Sequence, residues 1–283
     1  MQKRSRSEKI VFPVVWAVFL LYAFSLLYPF VWMFLNSLKT QNDFTLDIFG
    51  LPPTWHFSNW IDALLYNYRD FNVITMTLNS IFITVVVVAL QIFFYSVSSY
   101  IMAKYRFFGR AFLYSLIIVL MIMPAVGTTV ATYRLLRAVG LYNTHVGIFL
   151  LQSSGLTGVG FLMCYAFYKN LSWSYAEAAF MDGANDTTVY FRIMLPQAVP
   201  VLFSLAVLQV LTVWNDFFTP YMYLSKYPTL AVGLNELNTN IRYIGNYPLL
   251  FSVMFISVLP VLLLFVAFQK TIMDNTMAGG LKG

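Results

Sequence analysis

The sequence predicts an all-α polytopic membrane protein with six transmembrane helices, and three observations support that fold class. Of the 283 residues, 60% are hydrophobic and only 10% are charged, with a mean hydropathy of +0.72. Soluble proteins carry roughly 25% charged residues. Long runs without charge recur along the chain, and the 18% aromatic content suits side chains that lie at membrane interfaces. This composition excludes a soluble globular domain.

Six apolar runs are long enough to cross the hydrocarbon core of a bilayer, which takes about 20 helical residues. A charged residue at the centre of such a helix costs roughly 2.5–3.5 kcal/mol, so the runs without charge mark the spans. The first run follows the basic start MQKRSRSEK and is too long for a secretory signal, which predicts an uncleaved membrane helix. The predicted spans are 11–36, 76–103, 111–133, 146–169, 198–224 and 248–269.

The distribution of basic residues predicts the orientation of these spans, because Lys and Arg are enriched on the cytoplasmic side. With both termini inside, the cytoplasmic group is the larger one, and it explains the net charge of +6 without nucleic acid. The residues placed inside are Lys3, Arg4, Arg6, Lys9, Lys104, Arg106, Arg110, Lys169, Arg192, Lys270 and Lys282. Those placed outside are Lys39, Arg69, Arg134, Arg137, Lys226 and Arg242. The sequence therefore predicts an N-in, C-in topology.

The stretch Ser174–Pro196 is a polar, turn-rich segment between the fourth and fifth predicted spans. Ser174 followed by Glu177 is a capping-box pattern, which predicts a short helix that continues through Ala178 and Ala179. The two small alanines would let another protein surface approach closely. In the N-in topology this segment lies in the cytoplasm.

A turn and a second short helix are predicted to follow. Gly183 ends the first helix because glycine accepts the left-handed conformation that closes many helices. Asn185 or Asp186 then caps the second helix, and Pro196 stops or redirects it. Taken alone, such a loop could simply link two membrane helices.

The spacing of this segment resembles the EAA loop of the membrane-spanning subunits of binding-protein-dependent ABC importers. In that family the loop is the cytoplasmic segment that enters a cleft on the ATPase subunit, so the resemblance implies the same contact here. Phe180 and Met181 depart from the family pattern, in which many members carry a basic residue followed by an aliphatic one. The residues that match the pattern are Glu177, Ala178, Ala179, Gly183, Ile193, Leu195 and Pro196.

Four further segments resemble the carbohydrate-uptake type of these permeases, in particular the MalG-like partner of two-permease oligosaccharide importers. Together they extend the resemblance from about residue 75 to the end of the chain. They are Gly140–Thr144 with Gly147, Trp214–Phe217 with Pro220, the outer-loop segment 230–234, and the tail 278–283. The resemblance implies a type I ABC importer permease fold in a bacterial plasma membrane. It also implies that Lys282 and Gly283 lie near the ATPase subunits.

The predicted organisation of the chain is a single transmembrane domain, 1–283. Residues 1–74 supply the first membrane helix and an outer segment. Residues 75–272 form the permease core, which contains the EAA loop at 174–196, and residues 273–283 form a cytoplasmic tail.

Asp216 is the acidic residue that the sequence places at membrane depth, where an ionised carboxylate needs a partner or water. With Trp214 and Asn215 it is a candidate for the translocation path of a polyhydroxylated solute, because these groups suit sugar hydroxyls and the apolar ring face. The alternative is that the polar pair bonds to neighbouring helices or to broken backbone. Gln152 and Ser153 are weaker candidates for the same path, since polar residues also pack membrane helices together.

The chain lacks several kinds of catalytic and binding motif. No G-x-x-x-x-G-K-[ST] loop occurs, so nothing in the sequence predicts a phosphate cradle for a nucleotide. His56 and His145 stand alone, without a second residue at metal-ligand spacing, and no metal site is expected. No Ser-His-Asp or Cys-His arrangement is recognisable, so we expect a non-catalytic subunit.

The resemblance supplies the partners and the energy source. It implies a second homologous permease, which favours a heterodimer, together with two ATP-binding subunits and an extracytoplasmic solute-binding protein. No cofactor is expected in this chain, since ATP and magnesium would be bound by the ATPase subunits. The main alternative is a permease of another ABC importer subclass, for amino acids, phosphate or other small solutes. A secondary transporter or a six-helix membrane enzyme is a more distant one, because the spans carry few charged or paired catalytic groups.

Overall fold

The chain is mostly helical over the residues described by its computed structural model, which are 6–123, 127–154, 156 and 158–280, with side chains from 11 to 269 within these ranges. The first helices are α1 (Arg6–Ser37), α2 (Gln41–Leu46), α3 (Ser58–Leu65), α4 (Val73–Lys104), α5 (Arg110–Ile122), α6 (Thr128–Ala138), α7 (His145–Gln152) and α8 (Val159–Asn170). They are followed by α9 (Ser174–Met181), α10 (Asp186–Val189), a π-helical segment (Tyr190–Met194), α11 (Leu195–Asn215), α12 (Phe218–Tyr223), α13 (Leu230–Ile244) and α14 (Tyr247–Gly280).

A small β-hairpin lies between α3 and α4 in the otherwise mostly helical chain. Strands β1 (Asn67–Tyr68) and β2 (Phe71–Asn72) pair antiparallel, with Asn67 opposite Asn72. Arg69 in the connecting turn adopts a positive φ of 54°. Because each strand has two residues, the hairpin is a tight turn before α4 rather than a separate layer of structure.

Four helical segments are long and apolar enough to cross a membrane. They are Val11–Ser37, Val73–Lys104, Asp186–Asn215 and Tyr247–Gln269. These segments correspond to the first, second, fifth and sixth predicted spans. The fifth begins earlier than predicted, since the helix already starts in the polar loop.

The third and fourth predicted spans are each divided in two, which the apolar runs did not predict for the fourth. Run 111–133 contains α5 and α6, and run 146–169 contains α7 and α8. A proline interrupts a regular helix, so the sequence predicts a break in the third run at Pro124, which lies outside the described residues. In the fourth run, Gly158 has a φ of 104° just before α8, a conformation that interrupts a helix. The count of six membrane helices therefore stays a prediction.

One compact unit combines the described part of Met1–Ile74 with Leu234–Pro260. Trp32 of α1 meets Phe251 of α14 edge to face, with ring centroids 5.1 Å apart. Side chains 11–31 of α1 are all exposed, although nearly all are apolar. Such a surface suits a helix surrounded by lipid or by another chain.

A second compact unit combines Thr75–Gly233 with the described part of Val261–Gly283. Its main core joins α4, α8, α9 and α11 around side chains that are fully removed from solvent, including Tyr168, Ala176 and Met194. The polar loop after α8 is thus anchored in the helical core on one side. Both candidate site regions belong to this unit.

Gly160 allows α8 to approach α4 at this core. A Cβ atom added to Gly160 would lie 2.5 Å from a ring carbon of Tyr95, much closer than van der Waals contact. The neighbouring Val159 is exposed. The glycine is therefore required for this helix contact.

Replacing Gly160 with valine should destabilise the folded chain by about 1–3 kcal/mol, because the new side chain must displace the Tyr95 ring in a packed core. Thermal unfolding of the detergent-purified chain measures this effect. Val159→Ala is the matched control and should unfold like the wild type. A Gly160→Val variant with unchanged thermal unfolding would contradict the close contact.

Candidate functional site

The loop after α8 forms a helix, a turn and a second helix, but its first cap differs from the prediction. α9 begins at Ser174, and Trp173 occupies the N-cap position without a side-chain cap. Trp173 already has helical dihedral angles, and its carbonyl accepts hydrogen bonds from the amides of Ala176 and Glu177 at 2.9 and 3.1 Å. Ser174 is therefore inside the helix, where a serine cannot act as N-cap. The predicted capping box is wrong.

Gly183 ends α9 as predicted. Its φ is +83°, and its amide donates to the Phe180 carbonyl at 3.0 Å. The next amide, of Ala184, reaches back to the Ala179 carbonyl at 2.9 Å. This pair of bonds is the Schellman motif, which satisfies the last carbonyls of a helix and requires a left-handed residue.

Asn185 begins the second helix, which resolves the two caps left open by the sequence. Its side-chain oxygen accepts a hydrogen bond from the Thr188 amide at 2.8 Å, and its backbone is extended. Asp186 is the first helical residue, where its negative charge suits the helix dipole. The local sequence thus determines both ends of the turn.

Pro196 does not stop this helix, contrary to the prediction. The helix runs from Asp186 to Asn215 through the π-helical segment Tyr190–Met194. The Leu195 amide bonds to the Tyr190 carbonyl, five residues back. Proline lacks an amide hydrogen and collides with the carbonyl four residues before it in a regular helix. The wider π turn directly before Pro196 accommodates the ring, so the helix continues.

The exposed face of α9 lies on the side away from the core. Tyr175 and Met181 are 52% and 87% exposed, whereas Ala176 is fully buried. The α9 surface therefore exposes apolar side chains together with the acidic Glu177. The exposed members of the EAA pattern are Glu177, Ala178, Gly183 and Pro196, the partly buried ones are Ile193 and Leu195, and the buried one is Ala179.

A polar cluster lies at the other end of the same long helix. The side-chain amide of Gln152 donates to the Asp216 carboxylate at 2.7 Å. The second carboxylate oxygen of Asp216 accepts the Thr219 amide at 3.0 Å, which supports the start of α12. The structure thus brings together Gln152 and Asp216, two residues that the sequence nominated separately.

Gln91 of α4 belongs to this cluster and was missed by the sequence analysis. Its amide donates to the Gln152 carbonyl at 2.6 Å. The side-chain oxygens of Gln91 and Gln152 are both buried and have no hydrogen-bond partner among the described residues. They are acceptors that can receive hydroxyl groups or water. A glutamine inside the apolar run VVVVALQIFF was the signal that could have identified it.

The remaining path candidates have different surroundings. Trp214 is buried within α11, and Ser153 is buried at the C-terminal end of α7. Asn215 is exposed, and its amide donates to the Leu211 carbonyl of its own helix at 2.8 Å. This bond to the helix backbone favours a structural role for Asn215 over contact with a solute, the two alternatives that the sequence left open.

The Gly140–Thr144 motif is explained by backbone geometry. Asn143 has a φ of 62°, and its side-chain oxygen accepts hydrogen bonds from the Ser225 hydroxyl and the Lys226 amide, both at 3.1 Å. Thr144 caps α7 by accepting the Gly147 amide at 3.1 Å. The motif therefore ties the start of α7 to the segment after α12. The tail residues Lys282 and Gly283 lie outside the described residues.

Comparison with known proteins identifies the family. Residues 95–275 match the family model described as binding-protein-dependent transport system inner membrane component. The chain belongs to this family. It is a multi-pass inner membrane protein and a permease of the ABC transporter type.

This permease is similar to the permease proteins of several sugar transport systems. It is 32% identical to the arabinooligosaccharides transport system permease protein AraQ of Halalkalibacterium halodurans, over 72% of this chain and 73% of AraQ. It is 27% identical to the diacetylchitobiose uptake system permease protein NgcG of Streptomyces coelicolor, over 93% and 86% of the two chains. A solved bacterial ABC transporter involved in alginate import superposes with a TM-score of 0.79 at 26% identity, covering 95% of this chain and 99% of that one.

Asp216→Ala should lower solute uptake by the assembled permease more than it lowers assembly. The substitution removes the carboxylate that accepts the hydrogen bond of the Gln152 side-chain amide, so this amide loses its acceptor. Asp216→Asn keeps a side-chain oxygen for the Thr219 amide and should retain more uptake. Uptake into proteoliposomes and the yield of purified complex measure the two effects. Asp62→Ala, an exposed acid of α3, is the control. Unchanged uptake in Asp216→Ala would assign this residue a purely structural role.

Proposed function

We propose that this permease is the membrane subunit of an ATP-driven, binding-protein-dependent importer for a carbohydrate, in particular an oligosaccharide. The observation that carries the proposal is the exposed helix-turn-helix loop, whose geometry is fixed by Gly183 and Asn185. It presents Glu177 and Ala178 outward on a segment that is continuous with a membrane helix. Such an element suits mechanical contact with another subunit.

The carbohydrate assignment is supported by the names of the relatives and by the polar cluster. Those names refer to arabinooligosaccharides, diacetylchitobiose and alginate. The amide oxygens of Gln91 and Gln152 have no hydrogen-bond partner among the described residues, and with the nearby Asp216 they offer acceptors suited to sugar hydroxyls. The second candidate is import of another small solute by the same kind of complex. A secondary transporter is less favoured, since it would need charged relay residues in several helices.

The proposed topology has six membrane helices with both termini in the cytoplasm. The two divided spans would cross the membrane as pairs of shorter helices, α5 with α6 and α7 with α8. Irregular backbone at membrane depth is tolerated where it is buried in protein or lines a cavity. In this topology the loop 174–196 faces the cytoplasm, where an ATPase can reach it.

The proposed mechanism is alternating access driven from outside the chain. Two ATPase subunits bind ATP and magnesium, close on each other and carry the docked loops of this chain and of a second, homologous permease with them. Because the loop continues directly into the helix Asp186–Asn215, the displacement is transmitted as a rigid-body rotation. A loaded binding protein delivers the solute to the outward-facing state. The chain itself would have no catalytic role.

Gly183→Val should uncouple the ATPase from transport, because an L-residue in the left-handed conformation costs about 1–2 kcal/mol and a β-branched one fits it poorly. The turn would then open and change the angle of α9. Gly183→Asn is the matched control, since asparagine adopts this conformation more readily. The measurement is ATPase activity stimulated by the loaded binding protein in proteoliposomes, together with the amount of inserted permease. Wild-type coupling in Gly183→Val would contradict the role of the turn and with it the proposed function of the loop.

A further inference from the structure

A groove of about 730 Å³ lies beside the proposed coupling loop and has no role in the proposed function. It lies between the C-terminal half of α4, the segment that joins α4 to α5, and the start of the helix Asp186–Asn215. All the residues that line it belong to the second compact unit.

The groove is apolar at one end and polar at the other. Phe93, Val97 and Ile101 line it from one face of α4, with a spacing of four residues that places them in successive turns. From Phe93 to Ile101 the helix rises about 12 Å, which is a substantial part of one leaflet of the hydrocarbon core. At the other end, beyond the last turn of α4, the lining includes Arg106 and Asp186. An occupant that fits both ends is amphipathic.

The polar end has a positive charge available. Arg106 is exposed, and its guanidinium group has no hydrogen-bond or ion-pair partner among the described residues. It also lines a second cavity of about 600 Å³, together with Arg110 and Phe112 at the start of α5. Phe107 and Phe108 beside it are exposed, with Phe108 entirely so. A basic residue flanked by exposed aromatic side chains is typical of a membrane interface.

Three other charged side chains beside the groove, those of Lys104, Arg110 and Asp186, have hydrogen-bond partners among the described residues. The Lys104 ammonium donates to the Leu171 carbonyl, and the Arg110 guanidinium donates to the carbonyl of Ala103 at the end of α4 and to that of Tyr105 just after it. The Asp186 carboxylate accepts the Tyr105 hydroxyl at 2.6 Å. Burial and this bond raise the pKa of Tyr105 above its usual value, so its hydroxyl remains a donor to Asp186. Among the described residues that line the groove, Arg106 is the cation, and its guanidinium group is available to an external anion.

We propose that this groove binds an anionic phospholipid, with its phosphate on Arg106 and an acyl chain along Phe93, Val97 and Ile101. The apolar wall belongs to the candidate membrane span Val73–Lys104. The Arg106 guanidinium follows the end of this span, where a headgroup phosphate would lie in the proposed topology. This inference goes beyond the proposed function, and the proposed topology decides only which leaflet supplies the lipid.

The lipid site has a consequence for coupling. Asp186 and Tyr190, which line the groove, belong to the first turns of the helix that continues from the loop. A bound lipid would therefore contact α4 and this helix together and hold the start of the helix in place. Stimulation of the ATPase should depend on anionic lipid, in addition to its dependence on the loop.

The site can be tested by photolabelling the complete transporter in nanodiscs. The probe is phosphatidylglycerol with a photoactivatable group on its acyl chain, and labelled peptides are identified by mass spectrometry. We expect labelling of the α4 peptide that contains Phe93–Ile101. In Arg106→Gln this labelling should fall about fivefold, because that is the factor by which one basic residue strengthens binding to an anionic headgroup. Arg134→Gln, an exposed cation of α6, is the matched control and should label like the wild type.

Three results would overturn the proposal. The first is equal labelling of Arg106→Gln and wild type, and the second is equal labelling by the phosphatidylcholine form of the probe. The third is a disulfide between the cysteine of Ile101→Cys and a cysteine introduced into the second permease chain, which would show that protein covers the groove. Ile101→Trp, which fills the groove from an exposed position, should also prevent labelling while the complex still assembles. Because labelling does not require transport, its failure is distinguishable from failure of the proposed function.

Discussion

The unbroken helix Asp186–Asn215 is the physical connection on which the rest of the permease core depends. Its 30 residues correspond to a length of about 45 Å, enough to join the exposed loop to the polar cluster. Asn185 caps its start, and Asp216 follows its last residue. In the proposed mechanism, a displacement of the loop is transmitted along this helix to the cluster. The loop and the cluster therefore lie at the two ends of one continuous helix.

A hydrogen-bonded group in the core ties this element to its neighbours. The Ser96 hydroxyl lies 2.7 Å from the Tyr168 hydroxyl and accepts the Tyr190 hydroxyl at 2.8 Å. These three residues belong to α4, α8 and the π-helical segment, and all are buried. The same helix α4 carries Gln91 to the polar cluster. A movement of the loop would thus reach Gln91 and Asp216 by two packed helices rather than by one.

The sequence predicted those features that depend on a few consecutive residues. Gly183 and Asn185 were predictable because their roles follow from the backbone conformation that each position needs. The cap at Ser174 and the stop at Pro196 were wrong because Trp173 starts the helix earlier and a π turn accommodates the proline. The partnership of Gln91 with Gln152 joins residues 61 positions apart, so only the folded chain could place them together. The sequence thus predicted two residues of the polar cluster, Gln152 and Asp216, but it predicted neither Gln91 nor the contacts among the three.

Contact between the loop and an ATPase subunit is the central claim, and a disulfide crosslink tests it most directly. Ala178→Cys lies on the exposed face of α9, whereas Ala176→Cys, two residues away, lies on the buried face. With a cysteine series along the cleft of the co-expressed ATPase, Ala178→Cys should crosslink in the assembled complex and Ala176→Cys should not. Absence of any crosslink from Ala178→Cys in a complex that still assembles would contradict the docking of this loop.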